Sequence, residues 1–144
     1  MKNTIAAETA TSPHEILVVD DDTAILDLIA QVFTDEGYQT ITATDGRAAV
    51  ALARDRLPRL ILLDLMMPEM NGWQVIAELG TRDPTRAIPV ILLSARRDLA
   101  ETAADLGVAS YLEKPFGLDD LVSRVQQYVH PDKHYGQAGD RAGA

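Results

Sequence analysis

The 144-residue chain contains no cysteine, which excludes disulfide frameworks, thiolate metal sites and cysteine nucleophiles, and fits a reducing compartment. Basic charge is also scarce: 13 Lys and Arg stand against 22 Asp and Glu, for a formal net charge of -9. A binder of phosphate backbones carries a basic field, so neither nucleic acid nor an anionic membrane is expected as a direct partner. Long apolar runs are missing as well. Met1 to Glu15 has one lysine, an acidic Glu8 and no apolar stretch of signal-peptide type. The best candidate span, Ala87 to Ala95, is about half as long as a membrane helix needs and contains Pro89. A cytoplasmic location without membrane insertion is the resulting expectation.

What remains is the composition of one ordinary globular domain, 47% hydrophobic and 24% charged. A chain of this size buries roughly two thirds of its unfolded surface and needs no metal or disulfide to fold. The Thr/Ala/Ser-rich residues 1–13 and the Gly/Ala-rich residues 131–144 lack periodicity and are expected to be disordered, leaving a domain over residues 14–130.

Within the domain, short apolar runs alternate with helical patterns. Ile16 to Val19 and Leu60 to Leu63 are unbroken apolar runs too short for helices, and read as strands covered on both faces. Tyr38 to Ala43 is a more polar strand suited to an edge, Pro89 to Leu93 a fourth and Val108 to Leu112 a fifth. Between them, Asp22 caps a helix with Ile25, Leu28/Ile29 and Val32/Phe33 inward, stopped by Gly37. Further helices are predicted from Ala48 to near Leu57, over Trp73 to Leu79, Arg97 to Leu106, and Leu118 to Val129. The result is α/β, a (βα)₅ chain whose right-handed crossovers put helices on both faces of a parallel sheet.

In such sheets the working site lies at the carboxyl ends of the strands. Asp20 and Asp21 follow the first strand, Asp64 the third, Ser94 the fourth and Lys114 the fifth. One helix start needs one cap, which Asp22 supplies, so Asp20 and Asp21 are free for the site. Three clustered carboxylates repel unless a cation is present, and an all-oxygen set with room for water and phosphate favours Mg²⁺. Lys114 adds a mobile positive charge suited to a phosphoryl oxygen. Asp64 is then the nucleophile candidate, since carboxylates form acyl phosphates in metal-assisted phosphoryl transfer, and Ser94 a hydroxyl donor to the phosphoryl group. Met66, Met67 and Met70 read as loop packing, their sulfurs being too soft for a hard metal.

Four segments carry a family resemblance: Ile16 to Asp22, Leu63 to Gly72, Ser94-Ala95, and Tyr111 to Phe116. In this order, with 30 residues from Asp64 to Ser94 and 20 from Ser94 to Lys114, the chain over roughly 15–129 resembles the receiver domain of two-component response regulators. The resemblance implies a flavodoxin-like sheet of order 2-1-3-4-5. It implies that Asp64 is the phosphoacceptor, loaded by a histidine kinase or phosphotransfer protein. Asp21 and Asp64 would be direct Mg²⁺ ligands, Asp20 a ligand through water, and the Met66 backbone carbonyl the third protein ligand. Ser94 and Lys114 would contact the phosphoryl group, with Ser94 and Tyr111 as the switch pair. The signal would leave through the face formed by helix four, strand five and helix five, toward a downstream protein target. Such a domain catalyses its own phosphorylation and dephosphorylation without being an enzyme of the ordinary kind.

Only 15 residues follow Val129, too few for an effector domain, so a stand-alone receiver signalling by protein contact is expected. The alternatives are a degenerate receiver acting as a constitutive adaptor, or a Mg²⁺-dependent aspartyl phosphatase. The phosphatase needs a second carboxylate two residues after the nucleophile, where this chain has Met66. A flavodoxin-type electron carrier is disfavoured because Asp20, Asp21 and Asp22 would repel an FMN phosphate.

Overall fold

The computed structural model describes residues 15–130; the expected tails at 1–13 and 131–144 lie outside the described residues. Five parallel strands run β1 (Glu15–Val19), β2 (Gln39–Ala43), β3 (Leu60–Asp64), β4 (Val90–Ser94) and β5 (Ser110–Glu113), in the order β2-β1-β3-β4-β5. Every residue of β1, β3 and β4 is buried, whereas β2 and β5 are largely half-exposed. The unbroken apolar runs therefore take the centre and the mixed runs the edges.

The helices are α1 (Thr23–Asp35), α2 (Gly46–Arg56), α3 (Gly72–Leu79), α4 (Leu99–Leu106) and α5 (Leu118–Gln126). Alternation along β1 sends Ile16 and Val18 into a layer with Leu26, Ile29 and Phe33 of α1 and Leu121 and Val125 of α5. Leu17 and Val19 point the other way, into a layer with Ala49, Val50 and Ala53 of α2, Val75 and Leu79 of α3, and Leu99 and Ala103 of α4. Phe33 meets Tyr38 edge to face at 5.7 Å, and the buried Tyr38 hydroxyl donates to the Val129 carbonyl at 2.8 Å, tying the chain beyond α5 to the end of α1.

Several expectations shift. The inward stripe of α1 is Leu26, Ile29 and Phe33, and Leu28 is 50% exposed. Two overlapping apolar stripes share this helix, and the one centred on the sheet is buried. Tyr38 precedes β2 rather than starting it, α2 begins at Gly46 behind the cap Asp45, and α4 begins at Leu99 rather than Arg97. A 3₁₀ turn at Thr85–Ala87 was not expected. Of the three loop methionines, Met67 is buried and Met70 packs against the core, but Met66 is 56% exposed, so the loop-packing reading fails for Met66.

Register positions the strand ends. Val19 pairs with Leu63, so Asp20 lies level with Asp64 on the two central strands. Asp64 pairs with Leu93 and Ser94 with Glu113, which staggers Ser94 and then Lys114 one step further along. Close packing holds the loop after β3: a Cβ on Gly72 would come within 2.7 Å of Leu65 Cα and 3.0 Å of the Asp64 carbonyl oxygen.

Candidate functional site

Asp20 and Asp64 follow the apolar runs Ile16–Val19 and Leu60–Leu63, and both are almost entirely buried. Neither could be held there without partners, because a buried carboxylate is costly unless it is hydrogen-bonded or paired. Asp20 accepts from the Asp22 amide at 2.9 Å and from the Lys114 ammonium at 2.8 Å. Asp64 accepts from the Met66 amide at 3.1 Å, with Lys114 Nζ 3.6 Å from its other oxygen. Lys114, the residue after β5, thus lies between the two acids.

Asp21 is exposed, yet one carboxylate oxygen from each of Asp20, Asp21 and Asp64 lies within 4.8 Å of the others, and this is the one such cluster among the described residues. Against three carboxylates stands a single ammonium, a formal excess of two negative charges. Oxygen donors at that spacing, with that charge deficit, fit a hard divalent cation.

Asp64 is electrostatically strained. Burial pushes its pKa from 3.8 up to about 6, opposed by the hydrogen bond from the Met66 amide and by Lys114, and reinforced by Asp20 and Asp21. Burial alone would lower the Lys114 ammonium, but the hydrogen bond to Asp20 and the charges of Asp64 and Asp20 outweigh it and raise its pKa. A buried carboxylate with a perturbed pKa and an ammonium 3.6 Å away is a candidate functional group.

Ser94 is fully buried at the end of β4, its oxygen accepting from the Arg96 amide at 3.3 Å, while its carbonyl accepts from the Lys114 amide at 2.9 Å. It is therefore joined through the backbone to the lysine of the site. Asp22 caps α1 as expected, accepting from the Ala24 and Ile25 amides. Tyr111 sits on β5 apart from the acidic cluster and is 37% exposed. Its carbonyl accepts from Arg124 of α5.

The cluster has a neighbour the sequence reading did not assemble. Trp73, near the start of α3, carries the Arg96 guanidinium 5.1 Å from its ring centroid, and the same guanidinium holds Asp98 through two bonds of 2.9 Å. That hydrogen-bonding lowers the Asp98 carboxyl below its usual range. The Arg-x-Asp spacing was visible; the ring beneath it comes from another helix.

Comparison with known proteins identifies the family and agrees with the fold. The response regulator receiver domain family matches residues 16–126. The probable transcriptional regulatory protein TcrX of Mycobacterium tuberculosis is 34% identical over 116 residues, covering 79% of this chain and 49% of TcrX; the chain spans about half the length of the curated relatives it matches. Among solved structures, the chemotaxis protein CheY4 of Vibrio cholerae superposes with a TM-score of 0.74 at 26% identity, covering 80% of this chain and 98% of that one. The receiver domain of the sensor histidine kinase PA1611 of Pseudomonas aeruginosa, solved with a magnesium ion in its active site cleft, has a TM-score of 0.72 at 29% identity, covering 80% and 96%. No described helix is long and apolar enough to cross a membrane. With a five-stranded sheet of this order, acids level on its central strands, and a family match over nearly the whole described fold, the chain belongs to the receiver domains of two-component response regulators.

Proposed function

We propose that Asp64 accepts a phosphoryl group from a phosphohistidine of a histidine kinase or phosphotransfer protein, in a Mg²⁺-dependent reaction. The observation that carries this reading is the buried Asp64 carboxylate within 4.8 Å of Asp20 and Asp21 and 3.6 Å from the Lys114 ammonium. An Asp64 oxygen attacks phosphorus, the new O–P bond forms as the N–P bond breaks, and the donor imidazole keeps the electron pair and takes up a proton. Asp21 and Asp64 would hold the metal, with Asp20 acting through water and the Met66 carbonyl completing the protein ligands. When bound, Mg²⁺ supplies charge neutralisation at the phosphoryl oxygens and keeps Asp64 ionised. Lys114 and Ser94 bind two phosphoryl oxygens, one as a cation and one as a hydroxyl donor.

Phosphorylation then adds up to about two negative charges beside the cluster. Ser94 turns toward them, Tyr111 fills the space released, and the face of α4, β5 and α5 changes toward a downstream protein target. These steps belong to a cytoplasmic signalling protein; the output of any longer regulator built on this domain is part of the proposal.

The test is incubation with Mg²⁺ and acetyl phosphate, followed by intact mass. Wild type gains one phosphoryl group and Asp64→Asn gains none. A folded wild type that stays unmodified sinks the phosphoacceptor reading and leaves a constitutive adaptor.

A further inference from the structure

Four helices begin behind an Asp or Asn, and three of them are capped. Asp22, Asp45 and Asn71 have extended backbone, with ψ of 105°, 165° and 176°, and their side chains accept from first-turn amides of α1, α2 and α3. Asp98, in front of α4, has ψ of 31° and makes no side-chain cap. Its two carboxylate oxygens are taken by Arg96 Nε and Nη2. That guanidinium also rests on Trp73 of α3, and the Arg96 amide donates to Ser94. One residue therefore joins the end of β4, the start of α3 and the cap position of α4.

We propose that Trp73, Arg96 and Asp98 form a latch that keeps α4 uncapped at rest, and that loading Asp64 opens it by handing the Asp98 carboxylate from Arg96 to the first-turn amides of α4. Arg96 is a positioning residue in this scheme, and the inference rests on the reading of Asp64 as phosphoacceptor.

The two arrangements are alternatives. A carboxylate is satisfied by a bidentate guanidinium or by helix N-terminal amides and their dipole, but capping needs the extended backbone that Asp98 lacks while latched. Ser94 biases the choice. A phosphoryl group on Asp64 attracts hydroxyl donors, and a Ser94 hydroxyl turned toward it abandons the Arg96 amide. The new negative charge also competes with Asp98 for the guanidinium. Because the ion pair and the ring contact are both partly solvated, a modest difference in interaction between the two arrangements is enough to shift their populations.

Trp73 is the only tryptophan of the chain, so its emission reports the latch directly. The experiment follows Trp73 fluorescence and the hydrogen exchange of the Ala100 and Glu101 amides, without and with Mg²⁺ and beryllofluoride, while ¹⁹F NMR confirms bound beryllofluoride. In wild type, loading shifts the emission and slows exchange of those amides roughly two- to thirtyfold, the range that the stabilisation by a helix cap converts to. Asp98→Asn releases Arg96 yet can still cap, so it has the loaded emission and slow exchange before loading. Asp98→Ala releases Arg96 without capping, so it has the loaded emission with fast exchange in both conditions. Arg96→Lys restores part of the resting emission that Arg96→Ala loses. Bound beryllofluoride with unchanged emission and exchange overturns the latch alone; no bound beryllofluoride on folded protein overturns the latch together with the phosphoacceptor reading.

Discussion

Lys114 donates to Asp20 at 2.8 Å across 94 residues of sequence, and the same ammonium stands 3.6 Å from Asp64. Removing this cation leaves two buried carboxylates facing each other. Lys114→Ala should lower stability by about 1–3 kcal/mol, the cost of stranding a buried charged partner, and slow phosphoryl uptake by roughly a hundredfold. Saturating Mg²⁺ should recover part of the stability and little of the rate. Urea unfolding with and without Mg²⁺, beside a time course of intact mass, separates the two effects.

Asp64 should make metal-free stability fall as pH rises. Its folded value of about 6 lies above the ordinary 3.8, so between those values the folded state binds more protons than the unfolded state. The contribution is fully present below about pH 4 and is lost by the time pH passes 6, an effect on the order of 3 kcal/mol. Asp64→Asn should flatten this limb and be more stable than wild type at pH 7.5 in EDTA. Urea midpoints at pH 5 and 7.5 check the sign; a fall of equal size in Asp64→Asn would remove Asp64 as its cause.

Mg²⁺ should stabilise the wild type by about 2.7 kcal/mol at a hundredfold excess over its dissociation constant. Asp21 is exposed, so Asp21→Asn leaves the fold intact and tests the ligand set cleanly. It should weaken Mg²⁺ binding tenfold or more while leaving the metal-free unfolding midpoint nearly unchanged. Thermal unfolding against Mg²⁺ concentration measures both.

Two glycines should respond differently to alanine. At Gly72 the new methyl meets backbone at Leu65 and Asp64, which cannot rotate away, so Gly72→Ala should cost about 1–3 kcal/mol and reduce phosphoryl uptake. At Gly107 nothing lies within 4 Å but φ is +68°. Gly107→Ala should cost about 1–2 kcal/mol through backbone strain and leave phosphoryl uptake unchanged.

The strands are legible because apolar runs such as Leu60 to Leu63 admit one reading, and the polar residue ending each run marks the strand-end cluster. Within α1 apolar residues lie on adjoining faces, and contact with the sheet decides that Leu26 goes in and Leu28 stays out. The start of α4 was misplaced because Arg96 and Asp98 pair with each other ahead of the helix. Trp73 was missed at the site because its contact with Arg96 is purely tertiary.

Strand order also governs when the cluster can exist during synthesis. Its acids emerge early, after β1 and at the end of β3, but among the described residues the cation bonded to them, Lys114, follows β5, the last strand in the sequence. A nascent chain that has completed β4 carries the charge repulsion of the cluster without the ammonium that offsets it, and leaves the edge of β4 unpaired. If Asp64 is the proposed phosphoacceptor, its loading should then require the closed fold.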